Sequence, residues 1–169
     1  MPTPHRCSAV LGVLLLTLLT LALPGPFGAD GGGGSGALGG APGKPEDPQY
    51  TAAVKAIKAN EYAKAIPLLE GVVSRDDKNA DAYNWLAYAT RKTGNPAASL
   101  PLYQKALAID PKHRGAHEYI GEAYLMLDRP KEADQHLARL DSLCVFGCVE
   151  QRTLKAAIAS YKAGKQPTN

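Results

Sequence analysis

Two cysteines, Cys144 and Cys148, frame Val145-Phe146-Gly147 near the C-terminal end of a 169-residue chain. A third, Cys7, precedes an apolar N-terminal run. Four-residue separation across a turn that contains Gly147 meets disulfide geometry, and an oxidising compartment would form the bond. A structural staple is therefore the first reading of this pair. Thiol-disulfide chemistry is the alternative, although the spacing is not the C-x-x-C of thioredoxin-like proteins and no strand-helix pattern surrounds it. A metal would need more ligands than two sulfurs, and none lies nearby in sequence. His113 and His117 are four apart on one helical face, a spacing that can hold a metal, again without a third ligand. Asp76-Asp77 and Glu118/Glu122 are carboxylate pairs that read as helix-end or surface charge. Ser99 and Ser160 have no histidine-carboxylate pattern to activate them. The run Gly31-Gly32-Gly33-Gly34 follows no strand, so it is no phosphate-binding loop. These residues predict no enzyme, no cofactor and no metal centre.

The elements that must position them fall into three stretches. Residues 1–24 read as a secretory signal. His5 and Arg6 open it, an apolar run from Ala9 to Leu23 follows, and Pro24-Gly25 breaks it. The run is shorter than the roughly 20 residues of a spanning helix, so cleavage is expected, with an uncleaved inner-membrane anchor over 9–23 as the alternative. Residues 25–45 form a linker, because ten glycines fall between Gly25 and Gly43. Residues 46–169 are long enough for one domain. With Arg6 removed, 18 basic residues face 16 acidic ones, mixed along the chain. No basic stripe points to nucleic acid. Membrane contact would come only through an uncleaved N-terminal segment.

The domain repeats itself every 34 residues without a gap. Ala53, Ala87 and Gly121 share one place, and Ala65, Ser99 and Ala133 another. Leu69, Tyr103 and Leu137 share a third, and Val72, Ala106 and Leu140 a fourth. Small residues let paired helices approach, and large ones fill the space between pairs. Helices are predicted over 47–59, 61–74, 80–93, 96–109, 114–127 and 130–142. Asn95-Pro96 and Asp128-Arg129-Pro130 mark two starts, and Pro67 and Pro101 should bend their helices slightly. Leu154, Ile158 and Tyr161 then make residues 150–163 an apolar-faced cap for the last unit.

This pattern resembles the tetratricopeptide repeat, most closely over Ala80 to His113 with its ending Tyr103-Gln104-Lys105-Ala106-Leu107-Ala108-Ile109-Asp110-Pro111. The resemblance implies an all-α, right-handed superhelix of three helix-turn-helix repeats, 46–79, 80–113 and 114–147, closed by the capping helix. His117 and Thr90 depart from it, standing where large aromatics are usual, and Asp77 replaces a closing proline. A similar cysteine pair ends other small exported repeat proteins of bacteria. The resemblance further implies a concave groove that binds a peptide or a partner helix. Its lining would include Tyr50, Val54, Lys58, Asn84, Tyr88, Arg91, Lys92, Glu118 and Glu122. Arg91, Lys92 and Lys58 would suit acidic groups, with Glu118 and Glu122 placing negative charge at the other end. The Lys/Asn/Arg clamp that some relatives use on chaperone tails is not expected, because its slots hold Tyr50, Val54, Trp85, Gly115 and Tyr119. The expected role is a protein-binding adaptor of the cell envelope, periplasmic or extracellular. A thiol-disulfide participant and a self-associating structural protein are the alternatives.

Overall fold

A computed structural model describes residues 47–165. The expected signal or anchor (1–24, with the apolar run 9–23) and the Gly-rich linker (25–45) lie outside the described residues.

Amphipathic segments with buried small residues build seven α-helices, and the described residues contain no strand. They are α1 (Pro48–Lys58), α2 (Tyr62–Arg75), α3 (Ala80–Lys92), α4 (Pro96–Ile109), α5 (Arg114–Met126), α6 (Pro130–Leu143) and α7 (Val149–Lys162). Each start and end falls within a residue or so of its predicted place. Successive helices pack antiparallel in pairs, and the first helices also touch one another: α1 with α3, α3 with α5, α5 with α7.

The repeat determines how each pair closes. Asn60, Gly94 and Asp128 are 34 apart, and all three take positive φ, at 60°, 90° and 59°. The next residue's N–H then bonds back to a carbonyl five residues earlier: Glu61 to Ala56 at 2.8 Å, Asn95 to Thr90 at 3.2 Å, Arg129 to Tyr124 at 2.9 Å. This left-handed stop satisfies orphan helix-end carbonyls and turns the chain into the second helix. Asn95 is the N-cap residue of α4, but its side chain makes no capping bond, and Arg129 rather than Asp128 occupies the equivalent place before α6. Side-chain caps fall instead on first helices. Asp47 Oδ1 accepts from Gln49 N, Asn79 Oδ1 from Ala82 N and His113 Nδ1 from Ala116 N. Pro67 and Pro101 lie inside α2 and α4, where each removes one backbone bond.

The small-residue places are buried as close-packing requires: Ala53, Ala87, Ala65, Ser99 and Ala133 are all inaccessible. Gly121 is tighter still, since a Cβ there would lie 2.7 Å from both Leu154 methyls. The cap α7 therefore seats Leu154 against bare backbone of α5, with Ile158 beside it. Tyr161 reaches across to donate a hydrogen bond to the Asp128 carboxylate, and Lys162 pairs with Asp134 at 3.3 Å. One core cluster spans α1 to α3 around Leu69 and Val72, and a second spans α3 to α7 around Tyr103, Ile120 and Leu140. Leu102 packs against both, which joins the units into one stack.

Candidate functional site

The first helices stand side by side, so equivalent residues of successive repeats form rows across one face. The row Val54, Tyr88, Glu122 is partly open to solvent, and so is Trp85 with Tyr119 one repeat on. Lys58 is exposed, while Tyr50 and Lys92 are half-buried. The rings make a continuous aromatic seam. Tyr88 lies 4.8 Å from Tyr119 and 5.6 Å from Trp85, centroid to centroid, and Tyr62 meets Tyr88 at 5.9 Å. Tyr103, at the bottom, is 6.5 Å from Tyr119. Such half-buried rings offer flat, rigid contact area. Lys92 Nζ stands 5.7 Å from the centre of the Tyr62 ring.

Arg91 holds this seam together from within. It is only 4% exposed, because its row is Ile57, Arg91, Leu125, a core-facing row filled by apolar residues in the flanking repeats. Its guanidinium pairs with Glu122 at 2.8 Å and lies 5.3 Å from the Tyr88 ring centre and 5.9 Å from that of Tyr119. Arg91 Nη1 also approaches Met126 Sδ at 3.7 Å. Burial pushes the Tyr103 and Tyr119 hydroxyls well above their ordinary pKa. Asn84 Oδ1 is sealed from solvent with no hydrogen-bond partner, and Arg91 Nε and Tyr103 Oη, also sealed, make no well-formed hydrogen bond although the Arg91 guanidinium acts on the Tyr103 hydroxyl.

Asn84 and Glu118, read from the sequence as groove residues, share one repeat row and are 3% and 8% exposed. Neighbouring first helices cover them. Burial, then the charges of Glu122 and Glu150, push the Glu118 carboxyl up to about 8, although Arg91 opposes the shift. Sequence reasoning placed Glu118 and Glu122 as like solvated charges, but only Glu122 is matched by a cation. It also passed over Trp85 and Tyr119 as contact rings. Their 34-residue spacing was the available signal.

His113 and His117 do not converge on a common point. His113 Nδ1 caps α5 and its Nε2 lies 3.1 Å from Asp81 Oδ1. His117 turns to His136 of α6, Nδ1 to Nδ1 at 2.9 Å, while its Nε2 lies 3.2 Å from the Pro111 carbonyl. That pattern assigns Nε2–H to His117 and Nδ1–H to His136, which leaves the His117 ring neutral. Burial, then the His117 neighbour, pushes His136 down to about 4, and Tyr124 stacks on its ring at 5.7 Å. The aromatic missing from the His117 slot is thus replaced by an imidazole pair. No group of three metal-ligating side chains occurs among the described residues.

Cys144 and Cys148 are joined as a disulfide, with Cα atoms 5.6 Å apart. Gly147, at φ 80°, closes the turn, and its N–H bonds to the Cys144 carbonyl at 2.8 Å. The bond ties the end of α6 to the start of α7. Val145, Phe146 and Val149 stand out from this turn, the large exposed apolar side chains of the described residues.

Comparison with known proteins places this geometry. Two tetratricopeptide repeat profiles match, over residues 50–114 and 90–143. The protein FlbA of Caulobacter vibrioides is 33% identical over 86 residues, which are 51% of this chain and 14% of that protein. The chain thus spans a small part of the length of this curated relative. Among solved structures, residues 41 to the end of MamA from Desulfovibrio magneticus superpose with a TM-score of 0.55 at 27% identity, covering 56% of this chain and 54% of that one. The type III secretion translocator chaperone SycD of Yersinia enterocolitica superposes with a TM-score of 0.63 at 14% identity. It covers 69% of this chain and 82% of SycD, and shares the fold. The gapless 34-residue register, the paired helices and both profiles agree that residues 50–143 of this chain are tetratricopeptide repeats.

Proposed function

We propose that this protein is an adaptor that binds a peptide or helix of another protein across the face of α1, α3 and α5. The aromatic seam of Trp85, Tyr88 and Tyr119 carries this reading, because rings left half-open on a packed helical surface are the usual anchors of protein interfaces. A translocator chaperone on the same fold supports a protein ligand. Export to the periplasm or beyond is part of the proposal, supported by the apolar run Ala9–Leu23 and by a disulfide that a reducing cytosol would not maintain.

The test is capture of partners from an envelope extract by the full chain and by a folded Tyr88→Ala variant. Partners held by the parent and lost by the variant are expected. Equal capture by both would overturn the groove. Arg91→Glu is unsuitable as a probe, since it would bury a second carboxylate against Glu122.

A second reading, end-to-end self-association, is favoured by one observation, the exposed turn of Val145, Phe146 and Val149. Sedimentation of the parent against Phe146→Ser checks it: a mass that rises with concentration only in the parent supports it, and a monomer at all concentrations refutes it. The thiol-disulfide alternative predicts rapid exchange of the bond. Its Cys144 side is buried, which works against attack there.

A further inference from the structure

We infer that the seam between α3 and α5 is a receptor for a cationic side chain, a lysine or arginine of the bound partner, with Glu118 as its counter-ion. This rests on the groove reading above and gives that groove a charge preference.

The charges of the face decide it. Arg91 is matched by Glu122 at 2.8 Å, and Arg114 stands 3.7 Å from Glu150. Glu118 is left over: it is 8% exposed, and no ion pair or hydrogen bond joins it to another side chain of the described residues. A largely buried carboxyl without a protein donor is costly, and Asn84, in the same repeat row on α3, carries an unmet acceptor of its own. Asn84 Oδ1 is sealed and unpartnered, and the Asn84 amide lies against the first turn of α5, its Nδ2 3.7 Å from where a Gly115 Cβ would stand. Gly115, Glu118 and Glu122 share one face of that helix. The absence of a side chain at Gly115 leaves room there for the His113 ring, whose Cε1 would lie 3.5 Å from a Cβ, and for the Asn84 amide. Trp85 and Tyr119, 6.3 Å apart and tilted at 43°, supply ring faces on the same seam. A carboxyl without a protein donor, which an arriving cation can ionise, and adjoining ring faces are what a desolvated ammonium or guanidinium takes. Arg91 has no free charge for an acidic ligand, which reverses the preference expected from its side-chain type alone.

The site should therefore charge as it fills. The charged and titratable groups around Glu118 are Arg91 of α3, Tyr119 and Glu122 of α5, and Glu150 of α7. These surroundings hold it neutral near pH 7, so an arriving cation displaces its proton.

Trp85 is the one tryptophan of the chain, so its fluorescence reports on the seam directly. The full chain is titrated with N-acetyl-lysine methylamide, N-acetyl-arginine methylamide and the uncharged N-acetyl-norleucine methylamide. The two cationic compounds should give a saturable change and norleucine none. Glu118→Gln should weaken them by about tenfold or more, the worth of one charge-assisted hydrogen bond. Glu61→Gln, a carboxylate paired with Lys64 in an exposed turn, should not. Affinity in the parent should rise from pH 6 to pH 9 and stay level in Glu118→Gln. A norleucine response equal to that of lysine, or unchanged binding by Glu118→Gln, overturns the assignment. If capture of partners needs Tyr88 but no lysine response appears, the groove stands and the cationic anchor falls. A lysine response without captured partners retains the receptor and refutes the adaptor.

Discussion

Replacing Glu118 by glutamine should make the protein more stable, and increasingly so as pH rises. The substitution keeps the shape of the side chain and removes its ionisation. In the folded protein the carboxyl is pushed up to about 8, from an ordinary value of 4.5. Between these two pH values the native state keeps a proton that the unfolded chain has released. Stability therefore falls as pH increases through this window. One pKa unit corresponds to about 1.4 kcal/mol, so the full shift sets a ceiling of about 4–5 kcal/mol above pH 8. Residual solvent at the carboxylate and adjustment of Glu122 reduce it, to roughly 2 kcal/mol. Urea unfolding followed by Trp85 fluorescence and circular dichroism at pH 5, 7 and 9 measures it. Parent and variant should differ little at pH 5 and by about 2 kcal/mol at pH 9. A difference that is constant with pH, or that favours the parent at pH 9, would refute the claim that Glu118 is buried without a partner. The histidine pair contributes equally to both proteins and cancels from the comparison.

Three further outcomes are expected. Because His136 is pushed down to about 4 from 6.5, the unfolded chain takes up a proton before the native state does, so stability declines as pH falls from 6.5 toward 4. A His136→Phe variant should flatten that acid limb in equilibrium unfolding at pH 4.5, 5.5 and 6.5. Replacing both Cys144 and Cys148 by alanine should cost about 2 kcal/mol, the chain entropy of so short a loop, read as a lower denaturant midpoint that reductant no longer changes. Gly94→Ala should destabilise by about 1 kcal/mol although nothing lies within 4 Å of the added methyl, because φ there is 90°. Thermal unfolding by circular dichroism checks it.

The 34-residue register by itself determined the number of units, the pairing of helices and most of the core. A Gly, Ala or Ser at the helix-helix contact and a Leu, Tyr or Val between units are local choices that only one packing satisfies. The cap was legible for the same reason: Leu154 falls in the row of Leu86 and Ile120, and it seats on Gly121. The cysteine turn was legible as a staple because four residues with a glycine leave few conformations.

What each polar side chain faces was decided only by the tertiary structure. Arg91 and Lys92 look alike as neighbouring cations, yet Arg91 lies in the row of Ile57 and Leu125 and is buried, whereas Lys92 stays half-open on Tyr62. Glu118 and Glu122, one helical turn apart, read as a like pair, but Arg91 arrives from another helix to match one and leave the other. His117 reads as a partner for His113 at helical spacing, and pairs with His136 from the next helix. Spacing along one helix states which side chains share a face. Charge matching and burial depend on what a second helix brings to that face, and the distance law of electrostatics makes that placement decisive.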